Sequence, residues 1–209
     1  MILRCLFAAA MALLLGGCVG WVAETRLIPA SQRDPVTLAG LYVGSETGAA
    51  LIAPGDDGFV RIADPEGKEP PADVAFDMLR EEQPEPAPHS TEAVEDEEAS
   101  PPEPDRSYLM EVPIESDEGK VAYYYAIVRI EGGEPAGSFK QYTVLCSKAA
   151  AAFAARKEDQ ICIFDDYTHL RAAALDALAW FDDARMALDT NTFSLQTEPD
   201  ILASDGPSP

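Results

Sequence analysis

The sequence predicts an α+β domain: a small, mostly antiparallel sheet with C-terminal helices packed on it, interrupted by one long acidic insertion. Three observations carry this expectation. Apolar residues with a period of two, punctuated by Gly, Asp and Pro, fill much of residues 38–62 and 108–146; the pattern turns helical after Cys146; and strand signals stand on both sides of an acidic run. Strands followed by helices place those helices on one face of an antiparallel sheet. A small β-barrel closed by a helix is the alternative.

The elements follow in order. Leu38–Gly44, Gly48–Pro54 and Phe59–Ile62 read as short strands, with Asp56-Asp57-Gly58 the clearest turn, since Asp and Gly tolerate the left-handed backbone that tight hairpins need. Residues 81–105 carry ten acidic residues and six prolines with no Lys, Arg or aromatic side chain, a composition that predicts disorder. As a free flexible chain this insertion would hold its ends roughly 28 Å apart. Beyond it, Tyr108–Ile114, Lys120–Ile130 and Ser138–Cys146 are the strongest strands. Val121, Tyr123, Tyr125 and Ile127 fall on one face of the second, and Ala122, Tyr124, Ala126, Val128 and Ile130 on the other, so both faces are apolar enough to be covered. Glu131-Gly132-Gly133-Glu134 predicts a hairpin between the last two.

Ser147, just ahead of the Ala-rich run 149–156, predicts a short capped helix. Ile161–Phe164 is one more candidate strand. The following helix takes Thr168 as its N-cap, with Asp165 and Asp166 where negative charge favours a helix start. Leu170, Ala174, Ala177, Leu178, Phe181 and Leu188 gather on its core side. Residues 36–190 thus form one domain, and 191–209 a loose polar tail.

The N-terminus gives an address. Arg4 precedes an apolar stretch, Cys5–Leu15, that is short for a membrane span and suited to a secretory leader. Leu15-Gly16-Gly17-Cys18 resembles the lipobox of bacterial lipoproteins. The resemblance implies that residues 1–17 are a signal peptide and that Cys18 is lipidated, with a diacylglyceryl thioether and in many such proteins a further acyl chain such as palmitate. Val19, in place of the Asp that retains similar lipoproteins in the inner membrane, points to the outer membrane facing the periplasm. An ordinary signal peptide would need an A-x-A-like site, and none stands between Gly16 and Ala23. Residues 18–35 then form a lipidated N-terminus and tether, its last sixteen residues reaching at most about 55 Å.

Outside the leader and Cys18, Cys146 and Cys162 remain as one pair, which an oxidising envelope would join as a disulfide. A bridge over a loop of this length stabilises by about 3 kcal/mol in chain-entropy models. Charge bounds the partners. The chain sets 15 Lys and Arg against 37 Asp and Glu, a formal charge of -22, which disfavours nucleic acid and anionic head groups and leaves a basic envelope protein partner, divalent ions or simple solubility.

Candidates for chemistry are few. His169 stands at a helix start without a nucleophile partner. The pairs Asp56-Asp57, Asp165-Asp166 and Asp182-Asp183 suit a turn, a cap and a solvated helix face. No phosphate loop, HExxH or G-x-S-x-G occurs. The sequence therefore predicts a non-enzymatic accessory or protein-interaction module of the cell envelope, without metal or cofactor. A small-ligand module using the tyrosine-rich strand 123–125 is the alternative, and an enzyme using Asp165, Asp166 and His169 a third.

Overall fold

The computed structural model describes residues 19–45, 48–82, 104–115, 119–132, 135–182 and 190–196. Its strands are β1 (Val19–Ala23), β2 (Gly40–Gly44), β3 (Gly48–Pro54), β4 (Phe59–Ala63), β5 (Ala72–Glu82), β6 (Asp105–Glu115), β7 (Val121–Ile130), β8 (Ser138–Tyr142), β9 (Arg156–Glu158), β10 (Gln160–Ile163) and β11 (Thr190–Leu195). The helices are α1 (Lys148–Phe153) and α2 (Tyr167–Asp182). Eight strands pair in the cyclic order β2-β3-β4-β5-β6-β7-β8-β11, each antiparallel to its neighbours, and the β11–β2 contact closes the ring. The fold is a closed antiparallel barrel with three extra strands. The α+β expectation is thereby corrected: the two helices lie outside a cylinder of strands and do not form one layer of a two-layer domain.

Three strands have signals that are weak in the sequence; two of them, β5 and β11, belong to the closed ring, and β1 is an extra strand outside it. β5 merges into the acidic run, β1 directly follows the proposed lipidation site, and β11 lies in the polar C-terminal region. β1 and β11 correct the expectations of a tether over 18–35 and a tail over 191–209. In β1, Trp21, Val22 and Ala23 pair with β7 on one edge, and Val19, Gly20, Trp21 and Val22 with β10 on the other. The first two and the last residue of the 81–105 segment are also strand, with Glu82 opposite Asp105. The insertion therefore leaves and re-enters the barrel at neighbouring positions, not some 28 Å apart; residues 83–103 lie outside the described residues.

Alternation decides what faces inward. In β7, Tyr124, Ala126, Val128 and Ile130 join the barrel's interior cluster while Tyr125 and Ile127 join a second cluster outside it, as the two apolar faces of that strand predicted. Aromatic rings line the closing seam: Phe139 of β8 stacks on Phe193 of β11 at 4.5 Å and meets Tyr42 of β2 at 5.3 Å. The Tyr42 hydroxyl donates to the Ala136 carbonyl at 2.7 Å, which satisfies a polar group inside an apolar core. The chain leading into β2 spans one end of the barrel. Asp34 N–H donates to the Phe76 carbonyl, Thr37 C=O accepts from Ala136 N–H, and Val36 and Leu38 bury in the interior cluster between these points.

The turn at 56–58 forms as its residues predict. Asp57 and Gly58 both have positive φ, 54° and 77°, and Phe59 N–H donates to the Asp56 carbonyl, a primed turn whose twist suits the hairpin. Ser147 caps α1 by accepting from Ala150 N–H at 3.0 Å. At α2 the cap is Asp166, not Thr168: its carboxylate accepts from His169 N–H at 3.0 Å, and the helix begins at Tyr167. Leu170, Ala174 and Leu178 bury against the outer wall of the barrel as the helical pattern required, while Leu188 lies outside the described residues. No helix among the described residues is long and apolar enough to cross a membrane.

Candidate functional site

The chemistry-bearing groups of the described residues concentrate on one outer wall, where β5, β6 and β7 are covered by the N-terminal segment and α2. Two carboxylates are buried there, Glu111 of β6 at 0% exposure and Asp77 of β5 at 3%. Ala75 pairs with Glu111 and Asp77 with Leu109, so the two acids are diagonal neighbours on the same face of adjacent strands. A buried charge is costly unless neutralised and hydrogen-bonded. Each acid meets that demand with groups from a different segment of the chain.

Glu111 receives the N-terminal segment. Its Oε2 accepts from Leu27 N–H at 2.8 Å, Ile28 N–H at 3.1 Å and the Tyr125 hydroxyl at 2.9 Å, while Oε1 accepts from Arg26 Nη1 at 3.1 Å. Arg26 also donates to the Asp73 carbonyl and lies over the rings of Phe59, at 4.5 Å, and Tyr123, at 5.0 Å. Burial, reinforced by the adjacent Glu111 charge, drives the Tyr125 hydroxyl well above the usual tyrosine range, so it stays a donor. Four donors on one carboxylate lock residues 26–28 against the barrel.

Asp77 receives the helix. Its Oδ2 accepts from the Tyr167 hydroxyl at 2.8 Å and from Arg171 Nε at 3.2 Å, and Arg171 Nη2 donates to the Met78 carbonyl. Burial raises the Asp77 carboxyl above the ordinary carboxylate value, against the opposing pull of Tyr167 and Arg171. Burial and the Asp77 bond together push Tyr167 up to about 12. A one-residue bulge at Leu79, between Met78 and Arg80, follows directly and turns Leu79 into the cluster beneath α2.

Beside Asp77 lies a shallow cleft of about 240 Å³, lined by Ser31, Gln32, Arg33, Asp34, Asp77, Met78 and Arg171. Its two acids and two arginines balance. Arg33 is engaged at 4.0 Å over the Phe59 ring and through Nη1 with the Asp57 carbonyl. The arrangement brings residues 31–34 of the N-terminal segment, β5 and α2 together, with no surplus charge to select an ion.

The residues singled out in the sequence are placed as follows. Cys146 and Cys162 form a disulfide. It staples the start of α1 to β10, whose Cys162 lies opposite Trp21 of β1, and Trp21 Nε1 donates across to the Leu145 carbonyl at 3.0 Å. Gly20 sits where β1 and the segment after β8 part company. It has φ +152°, and a Cβ there would stand 3.0 Å from the Tyr124 ring, so only glycine fits without a shift. Tyr124 faces the barrel interior and Tyr125 the covered wall, both buried. Asp165 and His169 are exposed, and Asp166 serves the helix cap. Cys18 and Asp183 lie outside the described residues, and nothing is described of the Asp182 side chain. Among the described residues no three His, Cys, Asp or Glu side chains gather to hold a metal ion.

Sequence reasoning did not single out Glu111 and Asp77. A signal existed. Each is a lone acid inside an apolar stretch, Leu109-Met110-Glu111-Val112 and Ala75-Phe76-Asp77-Met78, and a charge within a strand apolar on both faces implies a buried partner. No protein-family model, curated protein or solved structure matches this chain.

Proposed function

We propose that this chain is a lipid-anchored protein of the bacterial envelope whose barrel acts as a non-enzymatic protein-interaction module, on the periplasmic side of the outer membrane. The observation that carries it joins sequence to structure: β1 begins at the residue after Cys18 and is hydrogen-bonded into the sheet on both edges. With acyl chains on Cys18, the barrel sits directly on the bilayer surface without a tether. Two or three chains suffice for stable anchoring, since each buried methylene contributes about 0.8 kcal/mol.

The buried acids support the non-enzymatic half of the reading. Both are occupied by bonds that hold the N-terminal segment and α2, and the barrel interior is lined by packed aromatic and aliphatic side chains. The disulfide suits an oxidising compartment. The acidic balance favours a partner with basic surface.

Metabolic labelling with an alkyne-bearing palmitate analogue tests the anchor. The full chain should carry the label and sediment with membranes, whereas Cys18→Ala should be unlabelled and released. An unlabelled full chain with an intact leader would refute lipidation.

A further inference from the structure

We propose that the outer wall of β2, β3 and the end of β4 is the surface through which this barrel binds its partner, a protein surface with an apolar centre and a basic rim. The proposal rests on the protein-interaction reading above and names its interface. The inward positions of these strands are taken by Tyr42, Ile52 and Ile62, so alternation turns Leu41, Leu51 and Ala63 outward. Leu41 pairs with Leu51 and Leu51 with Ala63, a single apolar row across three strands. Val43 and Ala49 pair in the adjoining outward row. Val43 is 39% exposed and Leu51 46%.

In a chain of which 25% of residues are charged, these paired outward positions carry no charge at all. The barrel does not need them for folding, because its core is already supplied from the inward positions. A contiguous apolar surface rimmed by polar residues marks an interaction site more often than isolated exposed side chains do.

Charge and position identify the occupant. Asp56 and Asp57 stand in the turn after β3, and Asp64 and Glu66 in the turn after β4. Arg61, opposite Ala53 in the next outward row, pairs with Asp73, Lys68 pairs with Glu66, and Arg33 donates to the Asp57 carbonyl, so that the acids Asp56, Asp57, Asp64, Glu66 and Asp73 still outnumber these three cations. An acidic rim selects a basic one and opposes a second copy of the same wall. β3 lies four strands from β7 in either direction around the ring, and β1, which follows the proposed lipid site, joins the sheet at β7. The apolar wall is therefore on the side of the barrel opposite the strand that carries β1.

The test is a photo-crosslinking residue at Leu51 of the full chain in its native envelope, with Leu175 and Val121, both exposed apolar positions elsewhere, as comparison sites. One protein should be captured from Leu51 and not from the other two, through a peptide in which apolar residues adjoin Lys or Arg. Val43→Glu should lower that capture at least tenfold while the melting temperature is retained; should Val43→Glu fold poorly, Val43→Thr should lower it severalfold. Asp56→Lys combined with Asp64→Lys should weaken capture too. An adduct with lipid, with a second copy, with another segment of the same chain, or with an acidic surface would overturn the assignment. Protein capture from Leu175 or Val121 alone would overturn this surface and leave the interaction reading standing. Absence of protein adducts at all three sites would remove both.

Discussion

The two sides of the barrel solve opposite problems. On the wall formed by β5, β6 and β7, polar groups are buried and the chain covers itself: Glu111 holds residues 26–28, Asp77 holds α2, and Leu109, Tyr125 and Ile127 pack beneath them. On the wall formed by β2 and β3, Val43 and Leu51 are exposed and Leu41 and Ala49 half-buried, with no described segment packed over them. The difference teaches that the covered wall combines a large apolar cluster with polar anchors that fix which segments lie over it, while the bare wall has neither. The covered wall is specified by two acids that make the burial of each overlying segment conditional on its bringing donors. The bare wall has no such anchor and can accept a surface from elsewhere.

Breaking the stronger anchor should have the largest effect. Glu111→Ala leaves Arg26, the Tyr125 hydroxyl and two backbone N–H groups without their acceptor, and should destabilise the protein by about 3–5 kcal/mol in urea unfolding. Hydrogen exchange in the same variant should rise first at Leu27 and Ile28. A loss below about 1 kcal/mol would mean that the N-terminal segment is held by packing alone.

Asp77 should behave differently, and the sign follows from its raised carboxyl. A carboxyl raised by burial binds its proton more tightly in the folded chain than in the unfolded one. Its contribution to stability is therefore greatest below the ordinary carboxylate value and declines as pH rises from there through the folded value. Asp77→Asn keeps an acceptor for Tyr167 and Arg171 while removing the charge. It should shift stability at neutral pH by no more than about 1 kcal/mol and flatten the decline expected as pH rises above the ordinary carboxylate value. Thermal melts of both proteins across that range check this, and an unchanged slope would assign the burial penalty elsewhere.

The smallest effect belongs to the bare wall. Leu51→Glu should change stability by no more than about 0.5 kcal/mol, because its side chain meets solvent and its strand partners are unaffected. A loss of 2 kcal/mol or more would show that Leu51 is covered within the protein itself, and the contrast between the two walls would collapse.

Much of the local structure was legible before any coordinates. The boundaries of β3, the Asp57-Gly58 turn, the Ser147 cap and the two faces of β7 each depend on neighbours in sequence, through pleat alternation, backbone sterics and capping. The disulfide was legible from parity, because only one pair of cysteines stood outside the proposed leader and lipid site. The candidate site was hardly legible at all. A carboxylate in an apolar strand announces that a donor must exist, but not that Glu111 will find it in residues 26–28 or Asp77 in Tyr167 and Arg171.

What the sequence determined by itself was therefore the set of strong strands, the tight turn, the helix cores and the cysteine pair, since these are decided within a few residues. Tertiary structure alone decided that the sheet closes. Closure requires β11, late in the chain, to pair with β2, early in it, and with β8, and β7 to pair with both β6 and β8. Those pairings leave little trace in local periodicity, because a strand's pattern records which face is buried and not which strand lies beside it.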